Sequence, residues 1–125
     1  MALTRTSLSD PIADELVVLK AEYSASDAVG TQISGSSSAL LFAVDIDNTL
    51  NTSASYVKLY DGSPTVGTTA PVGIFKAAAS VRVQYTITLG LTYNAPYATV
   101  VNTSGTAGVK RPTNTVIARF LISSP

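Results

Sequence analysis

The chain has 125 residues and no Cys, His or Trp, and its eight basic residues balance eight acidic ones. The missing Cys and His exclude thiolate or imidazole metal centres, Cys/His nucleophilic catalysis and disulfide staples. A net charge of zero, with no basic run beyond Lys110-Arg111, argues against a nucleic-acid partner.

The length suits one small domain. Residues 1–15 read as an N-terminal arm or a short helical turn. Ser9 and Asp10 before Pro11 suit a helix start at Asp10–Glu15, and Met1–Pro11 is a candidate anchor. Leu16–Tyr23 reads as the first strand. Ser34–Ser38, with Gly35, reads as an exposed loop. Ala39–Ile46 reads as a central strand buried on both sides, with Leu40, Phe42, Val44 and Ile46 on one face and Ala39, Leu41 and Ala43 on the other. Tyr56–Tyr60 places Val57 and Leu59 inward and leaves Lys58 outward. Asp61-Gly62-Ser63-Pro64 is a turn signal. Val72–Lys76 is a weaker strand, and Lys76–Ser80 could form one helical turn.

Val81–Tyr93 is the clearest element. Apolar and polar residues alternate over thirteen positions, the period of a half-buried strand. Gly90 marks a bend or bulge near its end. Asn94-Ala95-Pro96 ends it. Tyr97–Val101 and Val116–Ile122 are the last strands, separated by a surface loop over Asn102–Pro112. The expected fold is therefore all-β: an antiparallel β-sandwich of about seven to eight strands over residues 16–123, jelly-roll or Ig-like, with a barrel as the alternative.

Charge is balanced in total but not along the chain. All eight acids lie at or before Asp61, and residues 62–125 carry five bases and no acid. Strand pairing between the halves would interleave these charges; segregation would favour head-to-tail contact between copies. The longest apolar stretches, around Ala39–Val44, are too short to cross a bilayer, so no membrane partner is expected. The first ten residues lack the apolar core of a signal peptide.

Leu40–Leu50 resembles the first motif of haloacid-dehalogenase-like phosphatases. That resemblance would make Asp45 the nucleophile, Asp47 the acid/base and Thr49 the phosphate-positioning hydroxyl. Such enzymes also need a downstream acidic pair for Mg²⁺, which this chain lacks after Asp61, so no catalytic residue and no cofactor is expected. Asp45, Asp47 and Asn48 supply oxygen ligands close together and form a weak Ca²⁺ candidate. No nucleophile has a base beside it, and the chain reads as a non-enzyme. Asn51-Thr52-Ser53 and Asn102-Thr103-Ser104 match the glycosylation pattern by composition alone. The six Tyr could be core, rim or an exposed sugar- or protein-binding surface.

Ala54–Phe75, ASYVKLYDGSPTVGTTAPVGIF, resembles a stretch in small β-rich structural proteins of tailed bacteriophages. Tyr56-Val57-Lys58-Leu59-Tyr60, Pro64-Thr65-Val66-Gly67-Thr68 and Pro71-Val72 carry the likeness, followed by the long alternating strand and a last apolar strand in the same order. The resemblance covers roughly residues 38–122. It implies a non-enzymatic virion protein, a capsid decoration or cement subunit that stabilises the head by subunit contacts. The alternative is a tail or fibre component with a carbohydrate- or receptor-binding module. Its implied partners are the major capsid protein or other virion proteins and further copies of itself, as a dimer or trimer. Its implied location is the exterior of a head or tail assembled in the host cytoplasm. Tyr56, Lys58, Tyr60, Lys110 and Arg111 are the interface candidates.

Overall fold

The computed structural model describes residues 2–8, 13, 15–22, 27–34 and 38–123. Among the described residues nine strands run in chain order: β1 (Ala2–Ser7), β2 (Glu15–Ala21), β3 (Thr31–Gln32), β4 (Ala39–Asp47), β5 (Ser55–Asp61), β6 (Gly73–Ala77), β7 (Arg82–Tyr93), β8 (Pro96–Val101) and β9 (Val116–Ser123). They form a five-stranded sheet in the order β1-β2-β9-β4-β7 and a four-stranded sheet in the order β3-β8-β5-β6. Every pairing is antiparallel. The fold is all-β, two sheets facing each other across one core.

The first correction concerns the N-terminus. Residues expected as an arm or helical turn instead supply β1, which pairs with β2 from Ala2↔Lys20 to Ser7↔Glu15. Its sequence ALTRTS alternates too briefly to read as a strand alone; it is held by its neighbour. Most of the predicted turn at Asp10–Glu15 lies outside the described residues, as do Tyr23 and most of Ser34–Ser38. The turn expected over Lys76–Ser80 is absent: β6 runs through Ala77 and a tight turn follows.

The core follows from alternation. Val17, Leu19 and Ala21 of β2 and Val116, Ala118, Phe120 and Ile122 of the adjacent β9 share one core cluster with Val57 and Leu59 of β5 and Ala98 and Val100 of β8. Each large side chain buried this way contributes about 1.5–3 kcal/mol. β4 is central, flanked by β9 and β7, but its faces are not those the alternation suggested. The register shifts between Leu41 and Ala43, so Ala39 and Leu41 face the core before the shift, and Val44 and Ile46 after it. A bulge changes which face each later residue occupies.

That bulge has a partner in β7. Between the pairs Leu41↔Leu91 and Ala43↔Thr86, β7 spends Ile87–Gly90 opposite Phe42. Gly90 sits at φ 76°, and a Cβ there would lie 2.9 Å from the Phe42 ring. Only glycine meets both conditions without strain. Gly90→Val is expected to lower stability by about 2 kcal/mol, read as a fall in the urea midpoint; an unchanged midpoint would show that the kink is not enforced.

The two halves of the chain interleave, and so do their charges. Arg82 and Arg119 approach Asp45, and Lys110 approaches Asp27. The acids of the first half thus meet the bases of the second within one molecule, which removes the charge-segregation argument for head-to-tail stacking.

Candidate functional site

Cross-strand register decides what lies on the outer face of the four-stranded sheet. Val57 and Leu59 point into the core, so Tyr56, Lys58 and Tyr60 point away from it. Opposite them on β8 stand Val101, Thr99 and Tyr97. This outward direction is as expected, but exposure is not. Lys58 is fully buried, and so in effect are Tyr60, Thr99 and Val101.

The cover is the segment 102–112. Lys58 Nζ donates to the carbonyls of Gly105 at 2.5 Å and Gly108 at 3.2 Å. The segment is closed on itself by Asn102 N–H to Lys110 O and Gly108 N–H to Gly105 O. It is tied to the neighbouring chain by Ala28 N–H to Val109 O and by Lys110 Nζ to Asp27 Oδ1 at 3.2 Å. Arg111 donates to the Asp27 carbonyl. Small residues let the backbone come this close: a Cβ on Gly67 would strike Val109.

The structure therefore ties three of the five interface candidates to one loop, with an unexpected role. Lys58 lies beneath it and Lys110 and Arg111 fasten it to Asp27, while on the same side of β5 Tyr60 is buried and Tyr56 half-buried. No carboxylate among the described residues reaches Lys58. Burial pushes its ammonium below the ordinary 10.5 and pushes the Tyr60 hydroxyl up. A buried cation held only by carbonyls is a latch on the loop, not an exposed contact.

The Asp45-Asp47-Asn48 stretch is similarly dispersed. Asp45 lies on the outer face of the five-stranded sheet, gripped by Arg82 through Nε–Oδ1 at 3.0 Å and Nη2–Oδ2 at 3.0 Å. Asp47 Oδ1 accepts the Thr49 hydroxyl at 2.6 Å and the Thr49 N–H at 3.1 Å. Those two bonds hold its carboxyl below the usual range. Asn48 turns the other way and is fully buried. Its Nδ2 donates to the carbonyls of Ser53, Ala77 and Ala78, and its Oδ1 accepts from Asn51 Nδ2 and Ser55 Oγ. Among the described residues no group of three or more acidic side chains is placed to hold a metal ion.

Asn48 begins a network that the sequence did not announce. Asn51 Nδ2 donates also to Asn114 O, Asn51 Oδ1 accepts from Asn114 N–H, and Asn114 Nδ2 donates to Leu50 O. Three asparagines thereby join the β4–β5 turn, the β6–β7 turn and the approach to β9. Asn51 is buried, so the sequon Asn51-Thr52-Ser53 is spent on the fold. The sequence signal was weak: an Asn directly after a strand, and another three residues on.

The two sheets present different outer surfaces. The 102–112 loop covers the four-stranded sheet at Lys58, and on the same face Ile74 and Lys76 of β6 stay exposed. The five-stranded sheet leaves Leu16, Val18, Ile117 and Leu121 half-buried around Asp45 and Arg119. A cavity of about 320 Å³ opens on it between Phe42, Ala43, Thr86, Ile87 and Leu121, with the buried Ala13 of the β1–β2 connection on its wall. No described Tyr is exposed: Tyr60 and Tyr93 are buried, and Tyr56, Tyr85 and Tyr97 half-buried. Comparison with known proteins finds no matching family model and no matching curated protein.

Proposed function

We propose that the chain is a non-enzymatic virion structural protein, a capsid decoration or cement subunit with a jelly-roll fold. The strand order supports the jelly roll over an Ig-like sandwich. From β2 to β9 the sheets are β2-β9-β4-β7 and β3-β8-β5-β6, the interleaving produced by folding four antiparallel pairs over together, with β1 added at one edge. Jelly rolls recur in viral capsid and lectin domains. The Tyr56–Val72 likeness to phage structural proteins points to the first of these.

The observation that carries the reading is the outer face of the five-stranded sheet, where among the described residues Ala13 meets one part and the β2–β9 part is half-buried. It is broad, mixes half-buried aliphatic side chains with internally neutralised charges, and lies opposite the sheet that the 102–112 loop partly covers. Such a surface suits a partner that is itself large and flat. Contact with a shell would cover Leu16, Val18, Ile117 and Leu121. Each bound copy would add to shell stability by mass action. A sugar-binding surface would need accessible aromatic rings, and the described tyrosines do not provide them.

The test is co-sedimentation of the purified chain with emptied phage heads and, separately, with assembled tails. Binding to heads is expected. Leu121→Lys on the open face is expected to weaken it by about tenfold or more, with the urea midpoint nearly unchanged. Failure to bind either particle would end the virion reading, and binding to tails alone would move the chain to the tail.

A further inference from the structure

The sandwich has four edge strands, and three of them are blunted. β3 has two residues, β6 has five and carries Lys76, and β1 has six and carries Arg5. Short length and charge are the ordinary protections of an edge. β7 has neither beyond its first residue. It runs twelve residues, and from Val83 to Tyr93 it contains no charge and no proline. Its Gly90 kink lies toward its C-terminal end and leaves Arg82–Thr86 in regular register with β4.

Exposed apolar side chains gather on this same side of the molecule. Seven large ones are exposed among the described residues, and five of them (Val72, Ile74, Val81, Leu89 and Leu91) lie on or beside β6 and β7. Leu89 is 89% exposed. β6 and β7 are the edges of the two sheets on one side, joined by the Phe75–Tyr85 ring contact at 5.2 Å. The Tyr85 hydroxyl donates to the Lys76 carbonyl. One side of the sandwich thus combines the longest backbone edge with most of the large exposed apolar side chains among the described residues.

We propose that two copies of this chain pair through this edge, β7 antiparallel to β7 of the second copy, with Gln84 facing Gln84 on the two-fold axis. The occupant follows from matching. Along an alternating edge whose single charge stands at its first residue, a matching strand must alternate in phase and keep its own charge at an end, and β7 is the described edge strand of this chain that does. A two-fold axis makes such a contact self-complementary. With Gln84 on the axis, Arg82 faces Thr86, and Val83 faces Tyr85. Inward residues then face inward residues, as the pleat requires. Continuing that register places Ile87 opposite Val81, where the regular ladder ends, and leaves Leu89 in the bulge beside the end of the seam. The two Arg82 side chains lie on opposite sides of the axis, each already bound to its own Asp45, and no like charges face across the seam. The result joins two five-stranded sheets into one and extends their open outer face. This pairing holds whether or not the chain sits on a particle.

The natural chain has no cysteine, so single-cysteine variants report the geometry directly. The full chain is expected to sediment as a dimer at micromolar concentration. Gln84→Cys is expected to form a disulfide-linked dimer under mild oxidant about tenfold faster or more than Thr4→Cys, a control on the β1 edge. Leu89→Lys is expected to weaken the dimer about tenfold, with the circular dichroism of the folded chain unchanged. A monomeric wild-type chain would overturn the proposal. So would cross-linking at Thr4 as fast as at Gln84, or a dimer indifferent to Leu89→Lys.

Discussion

Asn48→Ala is expected to lower the unfolding free energy by about 3–5 kcal/mol, because each buried polar group left unpaired costs about 1–3 kcal/mol. The wild-type amide feeds three carbonyls and receives two donors. Alanine leaves Ser55 Oγ and Asn51 Nδ2 without that acceptor and opens a cavity beneath two turns. Asn48→Asp separates hydrogen bonding from volume. Its carboxylate would face the carbonyls of Ser53, Ala77 and Ala78, so the folded state would raise its pKa above the unfolded value of about 4. Stability would then be greatest below that value and be lost as pH rises through the folded pKa. Urea unfolding of both variants at acidic and neutral pH reads this out. A loss under about 1 kcal/mol for the alanine variant would show that water replaces the amide.

The second large effect is expected at Lys58. Lys58→Glu would bury a carboxylate against the Gly105 and Gly108 carbonyls and is expected to cost about 3–5 kcal/mol, the range for an uncompensated buried charge. Lys58→Met keeps the volume and removes the charge. Its informative property is pH dependence. Unfolded, the lysine titrates near 10.5; folded, burial holds it lower. Between those two values the native chain has released a proton that the unfolded chain retains, so rising pH favours the native state. Below the folded value the burial penalty is present in full. The stability of wild type relative to Lys58→Met should therefore increase as pH rises through that window. Tyr60 and Tyr93, both shifted up by burial, act oppositely above about pH 10 but are present in both chains and largely cancel in the difference. A flat difference would mean that Lys58 meets solvent through an opened loop.

Most strands were legible because their side chains alternate between core and surface. β2, β5, β8 and β9 carry that pattern, and Gly90 marked the kink in β7. Three features were not legible, each for a reason outside local pattern. β1 is set by its ladder to β2 and has little apolar content of its own. The faces of β4 depend on a bulge at Phe42, and a one-residue shift leaves composition unchanged. Lys58 reads as a solvent-facing residue between two core residues, and its burial depends on a loop some fifty positions away in sequence, from Asn102 to Pro112. The small residues Gly105, Ala107 and Gly108 were the available hint that this loop could lie flat.

The same long-range contacts changed the meaning of the candidate site. Lys58, Lys110 and Arg111, chosen as interface contacts, fasten a loop over one sheet, and the broader aliphatic surface lies on the other. The central claim is therefore that this open face, and not the tyrosine-lysine strand, meets the partner. Electron cryomicroscopy of phage heads saturated with the purified chain tests it most directly. The expected map places copies on the outer shell with Leu16, Val18, Ile117 and Leu121 against the capsid and the 102–112 loop toward solvent. Copies seated through the 102–112 loop, or heads carrying none, would contradict it.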